Sequence, residues 1–155
     1  MPMRSQEVVG SVATAAKVLV VEDDSEMRSL VQEMLRDEGY QAVGTSDTLS
    51  AFMYLIGEGA DVLVTDWKMP ALNGLDLLES VRRCLPDLPV VFVTAFADRD
   101  LERRALAGGA SSFLAKPFQR GELVEHVRSA LALARARKEN HGRRQRSFRR
   151  GDPTC

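Results

Sequence analysis

At 155 residues, 45% hydrophobic and 28% charged, the chain has the size and composition of one globular domain with a single core. Its two cysteines, Cys84 and Cys155, are too few for a disulfide framework and lack metal-ligand spacing, and no apolar run approaches the ~20 residues of a membrane-spanning helix. The net charge of -1 joins two unlike parts: residues 1–134 carry 13 Lys and Arg against 20 Asp and Glu, a balance of -7, whereas residues 135–155 carry 8 against 2, a balance of +6.

Residues 1–16 open with a weak apolar stretch (Val8, Val9, Val12) that Glu7, Gly10, Ser11 and Thr14 dilute below what a signal peptide needs, so a disordered lead is expected. Five short apolar runs follow: Val18 to Val21, Ala42 to Val43, Val62 to Val64, Val90 to Val93, and Phe113 to Ala115. A helical pattern fills every gap. This alternation predicts an α/β fold whose parallel sheet is covered by helices on both faces. In the first helix, Met27, Leu30, Val31, Met34 and Leu35 form one apolar stripe, and Gly39 supplies the stop. The second run is the shortest and most polar, as suits an edge strand. Gly108 and Gly109 end the fourth helix, and Leu123, Val127, Ala130, Leu131 and Ala134 give the last one its buried stripe. Beyond Leu133 the only large apolar residue is Phe148, so residues 135–155 are expected to form a basic, disordered tail.

In an open parallel α/β sheet, ligands bind beyond the carboxyl ends of the strands. There the first strand delivers Glu22-Asp23-Asp24, the third Asp66, the fourth Thr94 and the fifth Lys116-Pro117. Clustered carboxylates repel unless a cation sits among them, and an oxygen-only set with few ligands suits Mg²⁺. Lys116 and Thr94 add the positive charge and hydrogen bond that a transferring phosphoryl group requires, and a carboxylate can be its acceptor. Singly each residue has a plainer use: Asp24, beside Ser25, also suits a helix N-cap. The joint occurrence at four strand ends points to phosphoryl chemistry.

The segments Val20-Val21-Glu22-Asp23-Asp24, Asp66-Trp67-Lys68-Met69-Pro70, Thr94-Ala95 and Lys116-Pro117-Phe118 resemble the receiver domains of two-component response regulators, over residues 17–134. The resemblance implies a doubly wound, flavodoxin-like receiver fold with strand order 2-1-3-4-5. It implies that Asp66 is the phospho-acceptor, and that Asp23, Asp24, Asp66 and the backbone carbonyl of Lys68 hold Mg²⁺. Thr94 and Lys116 would grip the phosphoryl oxygens, Ala95 would leave room for the group, and the Lys116-Pro117 bond would be cis. Phe113 takes the position of the family's switch aromatic; without a hydroxyl, it has to work through packing. Lys68 and Phe96 stand where the family varies the residues flanking the hydrolytic water, and slow self-dephosphorylation is expected of this pair. The implied partners are a sensor histidine kinase or a histidine phosphotransfer protein, together with a downstream protein target. A cytoplasmic monomer or phosphorylation-dependent dimer is expected, catalysing only its own phosphorylation and dephosphorylation.

Three other readings compete, one of them a degenerate receiver acting only as an interaction domain, against which the retained acids, Thr94 and Lys116 argue. An Asp-nucleophile phosphatase resembling the haloacid dehalogenase family needs a second Asp two residues after the nucleophile, where Lys68 stands. The receiver fragment of a larger DNA-binding regulator is another, although residues 135–155 are too poor in apolar residues to fold a helix-turn-helix, so no DNA-binding domain is expected in this chain and a stand-alone receiver acting through protein contacts is the expectation. The tail's arginines offer only charge to a nucleic acid or acidic partner.

Overall fold

The computed structural model describes residues 15–67, 74–95 and 98–144, the side chains of 141–144 excepted. Strands β1 (Lys17–Val21), β2 (Gln41–Thr45), β3 (Val62–Thr65), β4 (Val90–Thr94) and β5 (Ser112–Ala115) alternate with helices α1 (Ser25–Asp37), α2 (Thr48–Gly57), α3 (Gly74–Cys84), α4 (Arg99–Ala107) and α5 (Arg120–Arg144). The five strands form one parallel sheet in the expected order, β2-β1-β3-β4-β5.

Side chains alternate across a strand, and both sheet faces here are apolar, so the inner strands read as unbroken Val and Leu runs. One face carries Val18, Val20, Val62, Val64, Val91 and Val93 against Val31 and Leu35 of α1 and Leu123, Val127 and Leu131 of α5. The opposite face sets Leu19, Val21, Leu63, Val90 and Phe92 against Leu55 of α2, Leu77, Leu78 and Val81 of α3, and Ala105 of α4. Leu35 and Val81 are fully buried; truncating a leucine at such a position to alanine costs roughly 2–5 kcal/mol.

Helix α1 begins where Asp24, in extended geometry, turns its side chain onto the free N–H groups of the first turn, and Glu26 there and Arg36 in the last turn suit the helix dipole. Gly39, with φ of 96°, reverses the chain toward β2 in a conformation that costs a residue with a Cβ. Helix α2 carries no charged residue and leaves Leu49, Met53 and Ile56 exposed.

Helix α5 departs from expectation. Its last buried residue is Ala134, yet the helix continues to Arg144, through residues 135–140 whose side chains are all exposed. The reason is local: Arg135, Ala136, Arg137, Lys138 and Glu139 are good helix formers, able to prolong a helix already nucleated by the core. The expected lead up to residue 14 and the tail from residue 145 lie outside the described residues. No helix among the described residues is long and apolar enough to cross a membrane.

Candidate functional site

The ladder of the parallel sheet runs one residue past the strands and fixes the backbone of each site residue. Asp66 N–H donates to the Val21 carbonyl at 3.1 Å, Glu22 N–H to the Thr45 carbonyl at 3.1 Å, and Lys116 N–H to the Thr94 carbonyl at 2.8 Å. Rigid strand ends of this kind hold their side chains more closely than loops do.

Lys116 is the hub. Its Nζ donates to Glu22 Oε1 at 2.9 Å and to Asp66 Oδ2 at 3.1 Å, and all three side chains are largely withdrawn from solvent, at 15%, 7% and 11% exposure. Asp66 Oδ1 accepts from the Trp67 N–H at 2.6 Å. Both oxygens of Asp66 are thus oriented. Burial pushes the Glu22 carboxyl above its ordinary range, the hydrogen bond from Lys116 pulls it back, and the Asp66 charge adds to the rise; the net direction is upward. For Lys116 burial acts downward, but the hydrogen bond to Glu22 and the charge of Asp66 outweigh it, leaving the ammonium above its ordinary value. The lysine is therefore firmly charged.

The acid pair that faces Asp66 is Glu22 and Asp23. Carboxylate oxygens of Glu22, Asp23 and Asp66 lie within 4.8 Å of one another, Glu22 and Asp66 buried and Asp23 exposed. Asp24, expected as a metal ligand, is turned the other way: its Oδ1 accepts from the N–H groups of Glu26 at 3.0 Å and Met27 at 3.2 Å. The cap of α1 takes that carboxylate, because an aspartate directly before the first helical turn satisfies N–H groups that have no other partner. Glu22, which the motif reading counted among the acids without a role, instead joins the cluster and pairs with Lys116.

Three hard oxygen donors at this spacing, with Lys116 the one ammonium bonded to them among the described residues, fit a divalent cation of the Mg²⁺ type. Thr94 ends β4 next to β3 and is fully buried. Ala95 follows it, exposed. The Lys116-Pro117 peptide is cis, as expected. Phe113 lies half-buried in β5, its ring centroid 6.4 Å from that of Phe92. Lys68 and Phe96 lie outside the described residues, so the expected carbonyl ligand and the pair flanking the water approach are not located.

Against known proteins, residues 18–128 match the model of the response regulator receiver domain. The chain is 39% identical to the chemotaxis protein CheY of Pseudomonas aeruginosa over 114 residues, covering 72% of this chain and 92% of that protein. It is 34% identical to nodulation protein W of Bradyrhizobium diazoefficiens over 82% of this chain and 56% of that longer protein. Among solved structures, that of the chemotaxis response regulator CheY4 of Vibrio cholerae superposes with a TM-score of 0.71 at 28% identity, over 76% of this chain and all of that one.

Proposed function

The chain belongs to the response regulator receiver family, and from that premise we propose that Asp66 takes the phosphoryl group, with Glu22, Asp23, Thr94 and Lys116 as its supporting set. It is a phosphoacceptor response regulator. The observation that carries the assignment is the position of Asp66: a buried carboxylate with both oxygens oriented, bridged by Lys116 to Glu22 and within 4.8 Å of Glu22 and Asp23.

In the proposed transfer, an Asp66 oxygen attacks the phosphorus of a phosphohistidine on a sensor histidine kinase or phosphotransfer protein. The new O–P bond forms as the N–P bond breaks, and the imidazole leaves with the bonding electron pair. Lys116, already at Asp66 Oδ2, neutralises the arriving phosphoryl oxygens, and the Thr94 hydroxyl donates to another. Glu22, Asp23 and Asp66 would hold Mg²⁺, with the Lys68 carbonyl as a further ligand; the ion supplies charge neutralisation for the incoming group. Hydrolysis later returns the Asp66 carboxylate when water attacks phosphorus from the opposite side. These two events are the whole of the proposed catalysis.

Movement of Thr94 toward the phosphoryl group opens space beside β5, into which Phe113 turns, and the altered surface meets a downstream protein. We place this signalling in the cytoplasm, where kinase and phospho-donor meet. Intact-mass measurement after incubation with acetyl phosphate and Mg²⁺ tests the acceptor. The wild type is expected to gain one phosphoryl group and Asp66→Asn none; undiminished labelling of Asp66→Asn would remove the assignment.

A further inference from the structure

Phe92 lies two residues before Thr94 in β4, on the same side of the strand, and is fully buried. Two neighbours of its ring matter. On one side, a Cβ built on Gly74 would meet Phe92 Cε1 at 2.5 Å, the Asp66 carbonyl oxygen at 2.6 Å and Trp67 Cα at 3.2 Å. The first residue of α3 therefore touches the backbone of the acceptor only because it lacks a side chain, and the Phe92 ring fills the rest of that gap. The Gly74 N–H, donating to the Trp67 carbonyl at 2.8 Å, fastens the same contact. On the other side stands Phe113, the register partner of Phe92 across β4 and β5, with ring centroids 6.4 Å apart and planes inclined by 31°. That separation is within the range of a favourable aromatic pair.

We propose that Phe92 is a positioning residue that couples the acceptor segment to the switch ring, one benzyl group being wedged between the Gly74–Asp66 backbone contact and Phe113. The proposal rests on the reading of Asp66 as acceptor and Phe113 as switch. Phe113 has no hydroxyl with which to signal its position, so its two states have to differ in packing. Phe92 forms the floor against which that ring packs, next to the strand end that carries Thr94. Close-packed interiors pass from one arrangement to another as units. A shift of the Asp66–Trp67 backbone on phosphorylation thus presses on Gly74 and Phe92 together, and through Phe92 on Phe113.

The test uses the full chain carrying 4-fluorophenylalanine at position 113, with fluoroberyllate and Mg²⁺ as the phosphoryl mimic. Fluorescence of Trp67, the only tryptophan, reports occupancy at Asp66, and the fluorine resonance reports the switch ring. In the wild-type background both signals are expected to respond. Phe92→Leu is expected to keep the Trp67 response and lose the fluorine shift. Phe92→Met, which refills most of the volume without a ring, should regain part of it. Val90→Ala removes core volume from the same strand and face away from Gly74, and should keep both responses, separating coupling from general loosening. A full fluorine shift in Phe92→Leu overturns the proposal alone. A Trp67 response with no fluorine shift in the wild type removes the switch reading and the proposal together, and no response of either kind removes the acceptor reading beneath them.

Discussion

Exchanging the charges of Asp23 and Asp24 separately tests how the strand-end acids divide their work. Asp24 accepts two N–H groups of the first turn of α1, so Asp24→Ala is expected to cost about 1 kcal/mol, the usual worth of such a cap. For a domain of this size that lowers the melting temperature by roughly 4 °C. Asp23 bonds no helix, and its carboxylate lies within 4.8 Å of two others. At that distance two like charges repel by about 1 kcal/mol at the dielectric of water, the relevant limit for an exposed group. Asp23→Asn in metal-free buffer should therefore leave the melting temperature level or raise it slightly. The same change removes one negative charge from within about 4 Å of a dication, worth about 2 kcal/mol or roughly 30-fold in affinity on the same scale. Mg²⁺ titration followed by Trp67 fluorescence, beside thermal melts in chelator, reads both quantities. Loss of Mg²⁺ binding in Asp24→Ala with an unchanged melting temperature would refute the division and return the acid pair to Asp23 and Asp24.

Lys116→Met strips the charge between Glu22 and Asp66 and is expected to cost about 1–3 kcal/mol in chelator, with Mg²⁺ restoring more stability than it adds to the wild type; equal Mg²⁺ effects on both melts would count against the ammonium's bridging role. Because the Lys116 pKa is raised, its stabilisation is complete below the ordinary lysine value of 10.5 and is lost as pH rises through the higher folded value, so the alkaline fall in wild-type stability should be shallower in the variant. Slow loss of phosphate from purified protein is expected, and Lys68→Asn and Phe96→Glu should each accelerate it; decay rates unchanged by both would show that neither side chain shields the phosphoryl group. A chain ending at Lys138 should label from acetyl phosphate at the wild-type rate, and a slower rate would assign residues 139–155 to the active edge.

The order of elements was legible because both sheet faces are apolar: Val18 to Val21 and Val90 to Val93 can be little else than fully buried strands. The meeting of Lys116 with Asp66, and the place of Thr94 at the end of the strand between theirs, followed from parallel topology. The split among Glu22, Asp23 and Asp24 did not, because three successive acids look alike in a motif. What separates them is the residue at which α1 begins, which commits Asp24 to the cap and leaves its neighbours facing β3. The pattern of buried positions ends at Ala134, and reading the domain boundary there overlooked that propensity prolongs a helix past its last contact. The Gly74–Phe92 contact joins segments remote in sequence through a missing side chain, and no local pattern announces it.

The reach of α5 past Ala134 leaves residues 135–140, about 9 Å of helix, only loosely tied to the core. The side chains of residues 135–140 are all exposed, so opening that stretch uncovers little apolar surface and need not wait for the domain to unfold. Amide exchange in α5 should accordingly fall into two regimes, with the turns around Leu123 and Val127 opening only with the whole domain and the turns beyond Ala134 opening by fraying.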